Sequence, residues 1–409
     1  MKWQELPAWT FLRSVSRTSV DAPVLSLHKG IGVVEKGTVD GNYNRTPENL
    51  DRYQEVRRGD VVVNRMKAWQ GTSGVADVDG IISAHYLVFE PTRAAHDPRY
   101  LDHLLRSEYM RQRYEMASIG IRTGQWELSR SAFSRLRLPV PPLELQRRIA
   151  DYLEAETSRI DLMLERSAEL ERHAEDLFLS TVVDAIAFGG REGTIGLYGS
   201  DYWIGAIPET WSVAPLGMRY RVQLGKMLNE ARVRTGDQRP YLGNSSVRWD
   251  SFDLRDLKTM EFRDGEWDRY GVEPGDVLVC EGGEVGRAAV WGDGPAGIYF
   301  QKALHRLRPL RRSADEPRYL MYALMAAART GVFAATSNKA TIDHLTGEKL
   351  AEHRLPFAPV EDQRSIVAEL DRVSDGTKRL RRAAARQRRL LAERRQALIT
   401  AAVTGELEV

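Results

Sequence analysis

Cysteine is nearly absent: Cys280 is the single example in 409 residues, so no internal disulfide can form and a reducing compartment fits. No apolar run approaches the roughly 18–20 residues that span a bilayer. The start, "MKWQELPAWTF", lacks the long apolar segment of a secretory signal. An excess of either charge is also missing, since 59 Lys and Arg against 57 Asp and Glu leave a formal net charge of +2. The eight histidines show no HxxxH or HExxH spacing, and with one cysteine no zinc set is available. These absences argue against membrane, secreted, disulfide-stapled and zinc-dependent classes, and a cytoplasmic, soluble protein is expected. With 42% apolar and 28% charged residues the chain is globular, and its length implies two or three domains.

What is present is a repeat. "LPVPPLELQRRIADYL" (Leu138 to Leu153) returns as "LPFAPVEDQRSIVAEL" (Leu355 to Leu370), eight of sixteen positions being identical at an offset of 217 residues. That period is domain-sized, far above the ~20–50 residues of solenoids. Upstream, Leu128-Ser129 lines up with Leu345-Thr346, Phe133 with Leu350, and Arg137 with Arg354. Further back, "RRGDVVV" answers "EPGDVLV" and "DPRYL" answers "EPRYL". Near each start, Pro7 and Trp9 have a looser echo in Pro208 and Trp211. Each half therefore reads as a variable globular part, a proline-rich junction and a helix. In the globular parts "DVVV" and "DVLV" predict strands among turns, and the segments opening on "PRYL" predict helices with proline in the first turn.

After the prolines, a 3-4 spacing picks out Ile149, Leu153, Glu156, Ile160, Met163, Ser167, Leu170, Ala174, Leu177 and Thr181. It predicts a coiled-coil helix of roughly 60 Å, from about 40 residues at 1.5 Å each, bounded by Pro141-Pro142 and Gly189-Gly190. The second helix carries Ile366, Leu370, Val373, Leu380, Ala384, Leu391 and Leu398, interrupted by Thr377, Gln387 and Arg394. Leu143 to Leu177 holds ten acidic and five basic residues, whereas Val360 to Arg395 holds six acidic and eleven basic. Opposite charge favours pairing of the two helices within one molecule, and antiparallel geometry is expected because each follows its own globular part. Two other readings stay open: solvated helical faces, and a basic helix lying on nucleic acid.

Signs of catalysis are few. The glycines of "CEGGEVGRAAV" lack the Gly-Lys-Ser/Thr of a phosphate loop and read as turn glycines. The carboxylates of "GDVLVCEGGE" and "DLRDLK" lack the spacing of a nuclease centre. The Asp/Asn-Pro-Pro-Tyr/Phe tetrapeptide of amino-methyltransferases is absent, and Cys280 reads as buried packing. A non-enzyme is expected. Recognition chemistry is better represented, because Arg and Lys pair with guanine, and Asn and Gln with adenine. Candidate DNA-binding residues in the first half are Asn42, Tyr43, Asn44, Arg45, Arg65, Lys67, Trp69, Gln70, Arg122, Thr123 and Gln125. In the second half they are Lys226, Arg232, Arg234, Asn244, Ser245, Arg248, Asn338 and Lys339.

The doubled junction Leu-Pro-x-x-Pro-x-x-x-Gln-x-x-Ile, the two GDV strands, "NRMKAWQG" and the "AAVTGELEV" ending resemble the specificity subunits of type I restriction–modification systems, the HsdS family. The resemblance implies an α+β chain: two mixed α/β target-recognition domains separated by two long helices forming an antiparallel coiled coil, with a pseudo-twofold internal repeat. The implied division is 1–142 and 195–358 for the recognition domains, and 143–190 and 359–409 for the helices. Each recognition domain would read half of a bipartite double-stranded DNA site. The implied partners are two methyltransferase (M) subunits, which would carry S-adenosylmethionine, no cofactor being expected in this chain; a translocating restriction (R) subunit could join the complex. The positions matching the family junction are scaffold ones: Gln146, Ile149 and Leu153 with Gln363, Ile366 and Leu370, the helices adding Ile160 and Leu380. The competing expectations are an enzyme with an unrecognised site and a coiled-coil scaffold for protein partners with no DNA role.

Overall fold

The computed structural model describes residues 3–18, 22–39, 46–92, 96–120, 126–188, 195–197, 203–204, 206–227, 237–335 and 345–409. The chain divides into two compact units, one of Met1–Ala168 with Ala384–Val409 and one of Glu169–Ala383.

In the first unit β1 (Leu12–Val15), β2 (Val61–Asn64), β3 (Ser73–Val75) and β4 (Tyr86–Pro91) make an antiparallel sheet in the order β1-β4-β2-β3. In the second, β5 (Tyr220–Leu224), β6 (Val277–Cys280), β7 (Ala288–Val290) and β8 (Leu304–Pro309) repeat that order as β5-β8-β6-β7. The repeated Gly-Asp-Val accounts for the entry to β2 and β6. Gly59 and Gly275 take φ of 93° and 88°, the left-handed region that favours glycine. The buried aspartate that follows closes the turn. Asp60 accepts from the Arg57 N–H at 2.8 Å and from Arg17 at 2.6 Å, and Asp276 accepts from the Glu273 N–H at 2.8 Å and from Arg308 at 2.7 Å. Val61, Val62 and Val63, like Val277, Leu278 and Val279, then run fully buried through their sheets.

Behind each sheet lies a helix that starts at the shared proline: α1 (Pro98–Arg106) in the first unit, with the long α2 (Leu143–Ala187) following it in the chain, and α3 (Pro317–Arg329) in the second, followed by the long α4 (Val360–Thr404). The segment after Asp97 is two helices rather than the one expected. Ser107 ends α1 and caps Glu108–Ala117, its hydroxyl accepting from the Met110 N–H at 3.2 Å. The junction strands also pair alike, Pro7 with Arg137 and Pro215 with Arg354. The counterpart of Pro7 is therefore Pro215, not Pro208, and Trp211 answers Trp3. Trp9 is 63% exposed whereas Trp211 is 4% exposed, so the two do not share a role.

Within each unit the long helices run antiparallel with acidic residues facing basic ones. Asp161 meets Arg395 at 3.3 Å in the first unit; Glu171 and Glu175 meet Arg381 at 3.4 and 3.1 Å in the second. The seam differs from the sequence expectation in phase. Ile149, Leu153, Ile160 and Ser167 are buried as expected, but Met163, Leu170 and Leu177 are exposed, and Phe178 and Val182 are buried in their place. Apolar residues flank both sides of this stretch, and the side bearing Phe178 and Val182 is the one that packs into the second unit's core. On α4 the expected interruptions Gln387 and Arg394 are exposed, while Arg388 and Arg395 are half-buried.

The end of α4 belongs to the first unit's core, where Ile399, Ala402 and Val403 pack with Leu138, Ile149 and Leu153. The end of α2 does the same in the second, where Val182 and Ile186 pack with Leu355, Leu370 and Tyr319. Val182 and Ile399, like Ile186 and Val403, are 217 residues apart, so the repeat persists to the helix ends.

Candidate nucleic-acid interface

The hairpin loop between β2 and β3 carries "NRMKAWQG". Asn64 organises it: its side-chain Oδ1 accepts from the Met66 and Lys67 N–H groups at 3.1 and 3.2 Å. A 3-10 turn over Ala68–Gln70 follows, and Gly71 at φ 84° returns the chain to β3. The Trp69 indole donates to the Met66 carbonyl at 3.0 Å and meets Trp126 edge-on at 5.2 Å. Arg65 is half-exposed and pairs with Glu127. Lys67 is exposed and has no ion-pair partner among the described residues. The structure thus brings Arg65, Lys67, Trp69 and Gln70 onto one loop, and the Leu128 N–H, beside the Ile119–Glu127 bridge, donates to the Arg65 carbonyl at 2.9 Å.

In the second unit the equivalent loop joins β6 and β7, "EGGEVGR". Gly283 and Gly286 have φ of 76° and 84°, so they are turn glycines, as expected. Arg287 spans from this loop to Asn244, donating to the Asn244 carbonyl at 3.0 Å and to its Oδ1 at 3.2 Å. The Asn244 amide donates in turn to the Gly282 carbonyl at 2.9 Å, and the Trp249 indole donates to Glu284 at 2.6 Å. Ser245 and Arg248 stand exposed beside this network. Asn244 is thereby a brace for the loop, with Ser245 and Arg248 as its free polar edge. Lys226 bridges to Gln301, and its side chain donates to Glu266 at 2.5 Å and to the Glu261 carbonyl at 2.9 Å. Burial raises the Glu266 carboxyl, but hydrogen bonds from Lys226 and the Arg263 N–H outweigh it and hold the group ionised.

Arg287 was missed from sequence, although the alignment of "RRGDVVV" with "EPGDVLV" placed its loop opposite "NRMKAWQG". Asn42, Tyr43, Asn44, Arg45, Arg122, Thr123, Gln125, Arg232, Arg234, Asn338 and Lys339 lie outside the described residues.

The scaffold residues are packed as their repetition suggests: Gln146, Ile149, Leu153 and Ile160 are buried, as are Gln363 and Leu370, while Ile366 and Leu380 are half-buried. Cys280 is buried and free, and burial pushes its thiol above the ordinary range. Among the described residues no three His, Cys, Asp or Glu side chains are grouped to hold a metal ion. No helix among them is long and apolar enough to cross a membrane.

Known proteins share this arrangement. A chain from a structural study of complex assembly and conformational transition of the type I R-M system superposes with a TM-score of 0.76 at 20% identity, covering 99% of this chain and 98% of that one. The HsdS subunit from Thermoanaerobacter tengcongensis gives a TM-score of 0.58 at 21% identity, covering 99% and 97%. A protein assigned as the specificity subunit of the MjaX type I restriction enzyme of Methanocaldococcus jannaschii is 20% identical over 344 residues, 80% of this chain and 74% of that one. The family described as the type I restriction modification DNA specificity domain matches residues 31–172 and again 208–386. Those two matches span most of the chain, and the protein therefore belongs to the type I restriction–modification specificity family, whose role is to give such systems their DNA sequence specificity.

Proposed function

We propose that each unit reads one half of a bipartite double-stranded DNA site, and that the long helices dock methyltransferase subunits that act on it. The supporting observation is the doubled scaffold. Two sheets of identical strand order hold the same hairpin loop in unrelated chemistries, Arg65, Lys67 and Trp69 in one and Glu284 and Arg287 in the other. A common frame with different polar edges suits two different half-sites. The chain itself is non-catalytic in this reading and works in the cytoplasm. S-adenosylmethionine belongs to the methyltransferase partners, two copies of which match the doubled junction, and a restriction subunit can complete the assembly. Base contacts come from the two loops and from the sequence candidates at 42–45, 122–125, 232–234 and 338–339.

The test is adenine methylation mapped across the native genome with and without this chain, followed by exchange of residues 1–142 for those of another family member. Loss of one bipartite motif, and replacement of one half of it in the exchange, is the expected result. Alteration of both halves would overturn the assignment of one half-site to each unit.

A further inference from the structure

The first unit holds a cavity of about 300 Å³ whose wall includes Lys29, His103, Arg106, Arg111 and Arg395, with Glu108 as its one carboxylate. Lys29 is exposed and has no ion-pair partner among the described residues. Arg395 reaches Asp161 only through Nε, at 3.3 Å. Arg106 pairs with Asp102 at 2.9 Å, and Arg111 with Glu108 and Glu115 at 2.6 and 2.8 Å. Burial holds His103 below its ordinary range, so it faces the cavity as a neutral donor.

The second unit supplies the control. Counting by the "PRYL" repeat, His103 and Arg106 correspond to Tyr322 and Met325; counting by the junction repeat, Arg395 and Ile399 correspond to Phe178 and Val182. Those four counterparts are buried together in one apolar core, Phe178 lying edge-on to Tyr322 with centroids 6.4 Å apart. The scaffold therefore closes this position with apolar side chains when nothing has to enter. Leaving an open space here instead gives up packing, and with Arg106 and Arg111 already paired to Asp102, Glu108 and Glu115 it is the unpaired Lys29 and the singly paired Arg395 that an anion would engage.

We propose that this cavity is a phosphate site and that, resting on the DNA reading above, its ligand is a phosphodiester of the DNA backbone. Gln70 and Gly71 of the β2–β3 loop form part of its wall, so a bound phosphate would set the register of the base-reading side chains on the same loop. The contribution of Arg395 means that the last part of the chain helps the first unit grip DNA.

The experiment compares the full-length chain with Lys29→Ala, an exposed change that leaves packing intact, and with His103→Tyr/Arg106→Met/Arg395→Phe, which installs the side chains of the second unit. Affinity for a mixed-sequence duplex is measured against salt, and melting temperature against inorganic phosphate. The expected result is a slope of log affinity on log salt reduced by about one in the first variant and by more in the second, equally on all sequences. Unchanged slopes, with phosphate raising the melting temperature of the parent chain but not of the triple variant, would mean a free-anion site and overturn the DNA contact. Unchanged slopes with no phosphate effect would overturn the site altogether. A parent chain that binds no duplex and directs no methylation would instead sink the DNA reading, while the melting arm still judges the anion site.

Discussion

Gln146 and Gln363, 217 residues apart, make the same two hydrogen bonds. Gln146 Oε1 accepts from the Asp97 N–H at 3.0 Å, and its Nε2 donates to the Pro141 carbonyl at 2.8 Å. Gln363 Oε1 accepts from the Glu316 N–H at 2.8 Å, and its Nε2 donates to the Ala358 carbonyl at 2.8 Å. Each amide thus ties the residue before the "PRYL" helix to the proline-rich turn before the long helix. A tyrosine reinforces the joint, with Tyr100 and Tyr319 donating to the Pro139 and Pro356 carbonyls at 3.0 Å. The parts of the repeat that look most alike in sequence are the parts that weld each recognition unit to its helix.

Replacing either glutamine by alanine leaves a buried N–H and a buried carbonyl unpaired. At about 1–3 kcal/mol for each orphaned group, Gln146→Ala and Gln363→Ala should each cost about 2–6 kcal/mol. Denaturant unfolding measures this, and similar losses at both positions are expected because the geometry is the same.

The arginine of "PRYL" should not behave alike in its two copies. Arg99 reaches the 8%-exposed Asp97 through one contact at 3.2 Å and otherwise meets Asp151 and Glu154 at exposed sites, whereas Arg318 forks onto Asp371 and also holds Asp250, whose side chain is 9% exposed, at 2.8 Å. Arg99→Ala should cost about 1 kcal/mol, because Asp97 keeps the backbone N–H groups at positions 99 and 100. Arg318→Ala should cost about 2–3 kcal/mol, limited because Lys378 still reaches Asp250 at 2.6 Å. Equal losses in the two variants would show that burial is not what separates them.

Much of this frame was legible from residue types. The junction, the GDV strands, the long helices and their opposite charge follow from spacing and composition, because buried hydrogen-bonding and left-handed glycines tolerate few substitutes. The helix ends were only faintly alike in sequence, since apolar packing asks for shape rather than identity, and Val182 and Ile399 serve equally. The seam phase was not legible where Leu162, Met163 and Leu164 offer apolar faces side by side, because the core that receives Phe178 and Val182 is built from distant parts of the chain. For the same reason the partners of Lys226 were not legible: nothing local announces Glu266 or the Glu261 carbonyl.

Two histidines make the second unit sensitive to mild acid. Burial depresses His305 and, separately, His353 below the ordinary value; a bond to the Leu345 carbonyl opposes this only in part for His305. The unfolded chain takes up these protons near pH 6.5 and the folded unit only at lower pH. Their contribution is therefore intact above about pH 6.5 and is lost as pH falls below it. Carboxylates such as Asp97, where burial is outweighed by hydrogen bonds from Arg99 and from backbone N–H groups, add losses only further down, below about pH 4. Thermal melting should drop between pH 7.5 and 5.5, and less so in His305→Gln, which keeps a donor for Leu345 without titrating.

The two loops should fail separately when DNA is read. Lys67 is exposed on the first loop, and Arg248 is exposed beside the second, neither with an ion-pair partner among the described residues. Their removal costs the fold little, so a loss of function in either variant reports on the ligand. A base contact is worth about 1–3 kcal/mol of discrimination, roughly five- to 150-fold, at one position of the site, whereas a phosphate contact weakens all sequences alike. Lys67→Ala and Arg248→Ala, each assembled with the methyltransferase and assayed by methylation on randomised half-sites, should relax or weaken opposite halves of the motif. Relaxation of the same half by both variants would place the two loops on one half-site and contradict the two-unit reading.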